Sequence, residues 1–336
     1  MVAHSKSMKA VSAGSSTRSS QHARVEQLHV PLQLIDNNED LLHTFHRLDD
    51  AIEVLFVLDG IKPAARQMVH EQDFHKVAEF CEQHQLKYAV SSFKILKDRK
   101  LMVKPWVEEP GYYFVYLSLS QDDANKAKFY EELRNDEKLG EFLGYPSCCI
   151  RFYKEHYATA ARRRDDYSLI SIANTELKEE KEDPEQKGSE QKRKTTFPSF
   201  LTNNMLRHFG LSLISHFPCS YHCVPTVFLA KRCFESVACR NPLLATYMRE
   251  VLRGPVLSHE ETGIHALRGY HIEPDILGSN HISYNQVWMT SPNELHDKLA
   301  ISNKIEMVDK HHVRIFNDYH LVEELKGDDV GMMIFE

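Results

Sequence analysis

Gly140-Glu141-Phe142-Leu143-Gly144-Tyr145-Pro146-Ser147-Cys148-Cys149-Ile150-Arg151-Phe152-Tyr153 sets two adjacent thiols where a helix begins. Pro146 suits a first helical position, where its missing N–H is no loss, and Phe152, Tyr153, His156 and Tyr157 continue with a helical period. Cys148 and Cys149 then fall in the first turn. Unpaired backbone N–H groups and the helix dipole favour a thiolate there, and a thiolate is what a metal or an electrophile requires. A lone cysteine at such a place reads as a small packing residue; the case for chemistry comes from a second cluster downstream.

That cluster is Arg207 to Thr226, with Leu211 to Ile214 as a short strand or buried segment leading into a turn that holds Cys219 and Cys223. Pro225 marks the start of a helix whose inner face carries Val227, Ala230, Phe234 and Val237. A thiol-bearing loop running into a helix N-terminus is a common way to hold a soft metal. Cys148, Cys149, Cys219 and Cys223 are therefore the expected metal ligands. The spacing, Cys-Cys with Cys-x-x-x-Cys, is less specific than two Cys-x-x-Cys pairs, and both zinc and an iron–sulfur cluster suit it. His216 and His222 flank the second pair; either could be a further ligand or a proton carrier, because imidazole titrates near neutrality and binds the same metals. Cys149, His222 and His216 are the candidate catalytic residues. Cys81, Cys233 and Cys239 read as packing residues. Ser258 to His265 holds metal-type side chains at a spacing that matches no metal helix, and reads as a loop leading to a strand.

The rest of the chain frames these motifs. Residues 1–27 form a Ser- and Ala-rich tail carrying Lys6, Lys9, Arg18 and Arg24, with no acidic residue before Glu26. This is the composition of a disordered tail or of a mitochondrial or plastid targeting segment. Residues 28–175 read as an α/β region: a strand at Val54 to Leu58, a helix around Phe74 to His84, and a strand from Tyr88 to Leu96. A strand pair, Leu101 to Val107 with Tyr112 to Leu119, follows around Pro110-Gly111, and a helix capped by Ser120 runs to about Arg134. Residues 176–196 are almost wholly charged and polar, which predicts a disordered insertion. Residues 197–336 carry the second motif, a helix through Leu252 and several strands. A helix from Pro292 to Leu299 capped by Ser291 interrupts them, and Gly331 to Phe335 is an edge strand. The expected fold is α/β or α+β, a mixed sheet with flanking helices and a β-rich C-terminal part, in which 28–175 and 197–336 form one compact unit.

Composition narrows the function classes. Over 336 residues the aliphatic and aromatic content is 42% and the formal charge is −7. That balance argues against wholesale attraction to nucleic acid, and no interleaved basic and aromatic pattern marks a single-strand binder. Arg162-Arg163-Arg164 reads as a solvated face. No apolar run is long enough to span a bilayer, and seven cysteines fit a reducing compartment, the cytoplasm first. With 13 glycines and no Gly-x-Gly-x-x-Gly or Walker pattern, a nucleotide-phosphate loop finds no support.

Leu143-Gly144-Tyr145-Pro146-Ser147-Cys148-Cys149, followed by His216-Phe217-Pro218-Cys219-Ser220 and Cys223, resembles a prokaryotic protein family known only as a domain of unknown function. In that family a Leu-Gly-Tyr-Pro-x-Cys-Cys segment precedes a His-x-Pro-Cys-Ser-x-x-Cys segment. The resemblance covers about residues 50 to 290 and implies no activity; the tail and the charged insertion lie outside its pattern. By analogy alone, the thiol pairing is also similar to iron–sulfur enzymes of tRNA-base modification. Three readings follow. The first is an iron–sulfur or zinc enzyme acting on a small molecule or modified nucleotide. The second is a non-catalytic module with a structural zinc site and a partner-binding tail or insertion. The third is a metal-free enzyme with a cysteine nucleophile.

Overall fold

The computed structural model describes residues 39–96, 101–163, 167–180, 194–274 and 280–336. The N-terminal tail and the central part of the charged segment lie outside the described residues. Helices α1 (Glu39–Phe45) and α2 (Leu48–Leu58) open the fold. The apolar run Val54 to Leu58, expected as a strand, is thus the second half of a helix. A short continuous apolar run carries no period that separates a buried strand from a buried helix. Asp49 and Asp50 in the first turn favour the helix, which is buried nearly all round from Ala51 to Val57.

Strand β1 (Ala64–His70), helix α3 (Phe74–Gln83) and strands β2 (Lys87–Leu96), β3 (Leu101–Val103) and β4 (Tyr112–Ser118) follow. They form an antiparallel sheet of order β1-β4-β2-β3. The two strands flanking Pro110-Gly111 therefore do not pair with each other. β3 pairs with β2, while β4 runs between β1 and β2 and exchanges bonds with both. Val115 and Leu117 of β4 join the core with Val77, Phe80 and Cys81 of α3. Tyr116 points the other way, onto Ala124 and Ala127 of α4 (Gln121–Glu132) and Leu139 of α5 (Asp136–Phe142). Ser120 caps α4, its hydroxyl accepting from the Asp123 N–H at 3.4 Å.

Next come α6 (Ser147–Arg163), α7 (Ser168–Ala173) and a short ribbon of β5 (Lys178–Glu180) with β6 (Lys194–Thr196), so the described ends of the charged segment pair antiparallel. Arg162 is exposed, as expected of a solvated face, while Arg163 is half-buried, its Nε donating to Glu260 at 3.3 Å. Helices α8 (Val224–Arg240) and α9 (Pro242–Leu252) precede two antiparallel sheets. On α8 the buried face is Thr226, Ala230, Cys233 and Val237, with Val227 and Phe234 at its margins; Cys233 packs as expected, whereas Cys239 is exposed.

The C-terminal part is β7 (Gly254–His259), β8 (Gly263–Arg268), β9 (His271–Pro274), β10 (Asn280–Ser283), β11 (Gln286–Met289), α10 (Glu294–Ile301), β12 (Lys304–Asp309), β13 (His312–Asn317), β14 (His320–Lys326) and β15 (Val330–Phe335). One sheet has the order β11-β8-β7-β15, with β15 at an edge as expected, and the other β14-β13-β12-β10-β9. Alternation along β7 and β15 explains the layering. Val256, Met333 and Phe335 face the helices, while Leu257, Met332 and Ile334 meet Ile282, Ile305 and Ile315 of the outer sheet. Ser258 to His265 is the tip of the β7–β8 hairpin: the turn at 260–262 leads into β8 as expected, while Ser258 and His259 still belong to β7. The cap of α10 is Asn293, whose side chain accepts from the His296 N–H; the helix begins two residues later than a Ser291 cap requires. Every described strand pairing is antiparallel, and with helices gathered around β-rich layers the fold is α+β.

Candidate metal centre and its cleft

The two thiol motifs meet at two helix N-termini. α6 starts directly after Pro146, whose carbonyl accepts from the Cys149 and Ile150 N–H groups at 2.9 and 3.0 Å. Gly144, at φ +73°, makes the bend between α5 and α6, and a Cβ there would stand 3.1 Å from Pro63 Cδ. Cys223 is the N-cap of α8, and Cys219 sits in the turn before it; the preceding Leu211 to Ile214 is a buried segment without regular structure. Both helix dipoles thus present their positive ends to the sulfurs.

The Cys148 and Cys223 sulfurs are 3.5 Å apart, Cys149 and Cys223 3.7 Å, and Cys148 and Cys149 3.9 Å. With Cys219, all four lie within 4.8 Å of one another. Zinc–thiolate bonds near 2.3 Å give a tetrahedral edge of about 3.8 Å, so three of these separations already match a single ion. An iron–sulfur cluster sets thiolates on different irons and holds them further apart. The Thr226 hydroxyl lies 3.2 Å from the Cys149 sulfur, and the Cys219 N–H donates to that sulfur at 3.4 Å. Such contacts orient a metal ligand and tune its basicity.

Without a cation, so crowded a group shares very little negative charge. The Cys149 thiol is pushed up by its hydrogen bonds with Cys219 and Cys223 and by burial. At Cys219 the hydrogen bond from Cys149 lowers the value, but the one with Cys223 and burial raise it more, to about 12. Cys223 is pulled well below the ordinary thiol range by hydrogen bonds from Cys149 and Cys219. A divalent ion removes this conflict by letting all four ionise.

Among the described residues no histidine nitrogen joins the four sulfurs. His216 is 4% exposed, its Nε2 lies 3.0 Å from the Thr226 hydroxyl, and it reaches Cys149 only through that hydroxyl. Burial, and then Lys62, push its imidazole down to about 3, so it is neutral. His222 is half-buried in the turn, its backbone N–H donating to Ser220 Oγ at 3.2 Å. His208 is exposed.

Beside the centre opens a cleft of about 130 Å³, with Cys149, Tyr145, Ser215 and His216 on its wall. Tyr153 and Phe217 add parallel rings 6.2 Å apart, and Arg66 and Asp136 supply charge. Behind this wall lies a buried ion pair, Lys62 with Glu53, tied to Ser215 Oγ at 2.9 Å from each. Burial works against the Lys62 charge, but Glu53 and Tyr145 outweigh it and raise its pKa. These residues escape a motif search. The available signals are Glu53 as the single charge within the apolar run Ala51 to Leu58, and Lys62 just after the Asp59-Gly60 turn.

No family model matches the chain, and no curated protein or solved structure matches it. Among the described residues no helix is long and apolar enough to cross a membrane.

Proposed function

We propose that Cys148, Cys149, Cys219 and Cys223 hold one zinc ion and that the protein is a metal-dependent enzyme acting on a small molecule bound in the adjoining cleft. The observation that carries this reading is Cys149, which belongs both to the sulfur group and to the cleft wall. A ligand in the cleft therefore lies against the metal's own coordination sphere. The sulfur separations support a mononuclear ion over an iron–sulfur cluster, and a cleft of about 130 Å³ favours a single-ring compound over a whole nucleotide. All seven cysteines are free thiols, which supports a reducing compartment, the cytoplasm first. The two motifs behind the family resemblance converge on this one site, and that supports placing the chain in that family.

A second reading has its own observation: four sulfurs complete a tetrahedron, which leaves a zinc ion saturated and makes the centre a staple between α6 and α8. The metal-free reading is weaker, because His216 touches Thr226 rather than a sulfur. Metal analysis of the purified chain, followed by cobalt substitution, separates the three. Stoichiometric zinc, with a cobalt visible spectrum that changes when a compound occupies the cleft, supports the enzyme. A spectrum indifferent to every cleft ligand supports the staple. Metal-free folded protein overturns both.

A further inference from the structure

The hydrogen bonds behind the cleft wall leave little freedom in their direction. Lys62 Nζ can only donate and the Glu53 carboxylate can only accept. Ser215 Oγ lies 2.9 Å from each, so it accepts from Lys62 and spends its one proton on Glu53. Tyr145 OH stands 3.2 Å from the same Ser215 oxygen. Ser215 has no second proton to give, so the Tyr145 hydroxyl must donate. Lys62 also lies 5.0 Å from the centre of the Tyr145 ring, which holds that ring against the ion pair. With its proton committed inward, the Tyr145 oxygen offers only lone pairs to the cleft that its side chain lines.

We propose that Tyr145 is a specificity-determining acceptor: the cleft takes a single-ring small molecule that presents an O–H or N–H group to the Tyr145 oxygen, and a group that can only accept finds no partner at that oxygen. The buried pair Lys62–Glu53 is what sets this polarity, through Ser215. The size limit comes from the cavity, since an engineered apolar cavity of about 150 Å³ accommodates benzene. The inference rests on the cleft reading above, and is independent of which metal the thiols hold.

Calorimetric titration of the zinc-loaded full chain with phenol, benzaldehyde and toluene tests it. Phenol should bind about fivefold to tenfold tighter than toluene, the worth of one hydrogen bond, with benzaldehyde no better than toluene. Tyr145→Phe, checked for an unchanged circular dichroism spectrum, should reduce phenol to the level of toluene. Ser215→Ala frees the Tyr145 proton to swing into the cleft, so benzaldehyde should gain about fivefold while toluene stays unchanged. A purely structural Tyr145 would not move these ratios. Phenol binding that survives Tyr145→Phe, or a wild-type preference for benzaldehyde, overturns the inference and leaves the cleft standing. Failure of all three probes to bind overturns the cleft reading with it, while the zinc content of the same sample reports separately on the metal.

Discussion

Lys62 and Glu53 are charges with almost no contact with water, their side chains 2% and 9% exposed. Removing one partner strands the other. In Lys62→Met the Glu53 carboxylate keeps only the Ser215 hydroxyl, and in Glu53→Leu the ammonium keeps only Ser215 and the face of Tyr145. A buried charge left without its partner costs about 3–5 kcal/mol, whereas replacing both members by apolar groups of similar volume is often close to neutral. Each single variant should therefore lose about 3–5 kcal/mol, while Lys62→Met with Glu53→Leu should stay within about 1 kcal/mol of the parent, a coupling of several kcal/mol. Urea unfolding followed by circular dichroism measures all four corners of the cycle. In a chain of this length the single losses correspond to a fall in Tm of about 5–8 °C. Single variants costing under about 1 kcal/mol, or a double variant that loses the sum of the two, would refute the argument that the pair is buried and mutually dependent.

Three further outcomes follow from other parts of the molecule. Zinc should be present at one per chain, lost from both Cys149→Ala and Cys219→Ala by elemental analysis, and a strong chelator should lower the melting temperature of the wild type only. His265 is wholly buried, and burial followed by His296 and His259 lowers its pKa to about 3. The unfolded chain takes that proton first, so stability is full above about pH 7 and falls as pH drops through 6.5. The share of His265 in that loss is about 2 kcal/mol at pH 5, and His265→Asn should reduce the slope by that share in unfolding titrations between pH 7 and 5, leaving the share of His216. Burial pushes the Cys81 and Cys233 thiols up to about 12 while Cys239 is exposed, so iodoacetamide on the folded chain should label Cys239 and spare the other two by peptide mass analysis.

What the sequence reveals and what it hides divide along the range of the interactions. The starts of α4, α6 and α8 are legible because Ser120, Pro146 and Pro225 act within one turn. The meeting of the thiols is legible as well, since each motif delivers a pair to a helix N-terminus. Val54 to Leu58 is misread because its period is hidden by burial on every side. The strands around Pro110-Gly111 are found but mispaired, because β2 supplies a better partner from elsewhere in the chain. The polar network behind the cleft is invisible for the same reason: Lys62 and Ser215 are 153 residues apart, and neither carries a motif.

Cys149 and Cys219 are separated by 70 residues, and the stretch between them includes the β5–β6 ribbon with its charged segment. A metal at the thiols therefore closes a long ring of chain. Held so, the ring keeps α6 and α8 together even when its covalent path is interrupted. A chain cut between residues 180 and 194 would leave two complementary fragments held by the core they share as well as by the metal, so withdrawing the ion would loosen their association. Tolerance to a backbone break would then be shared between the metal and the core that both fragments build.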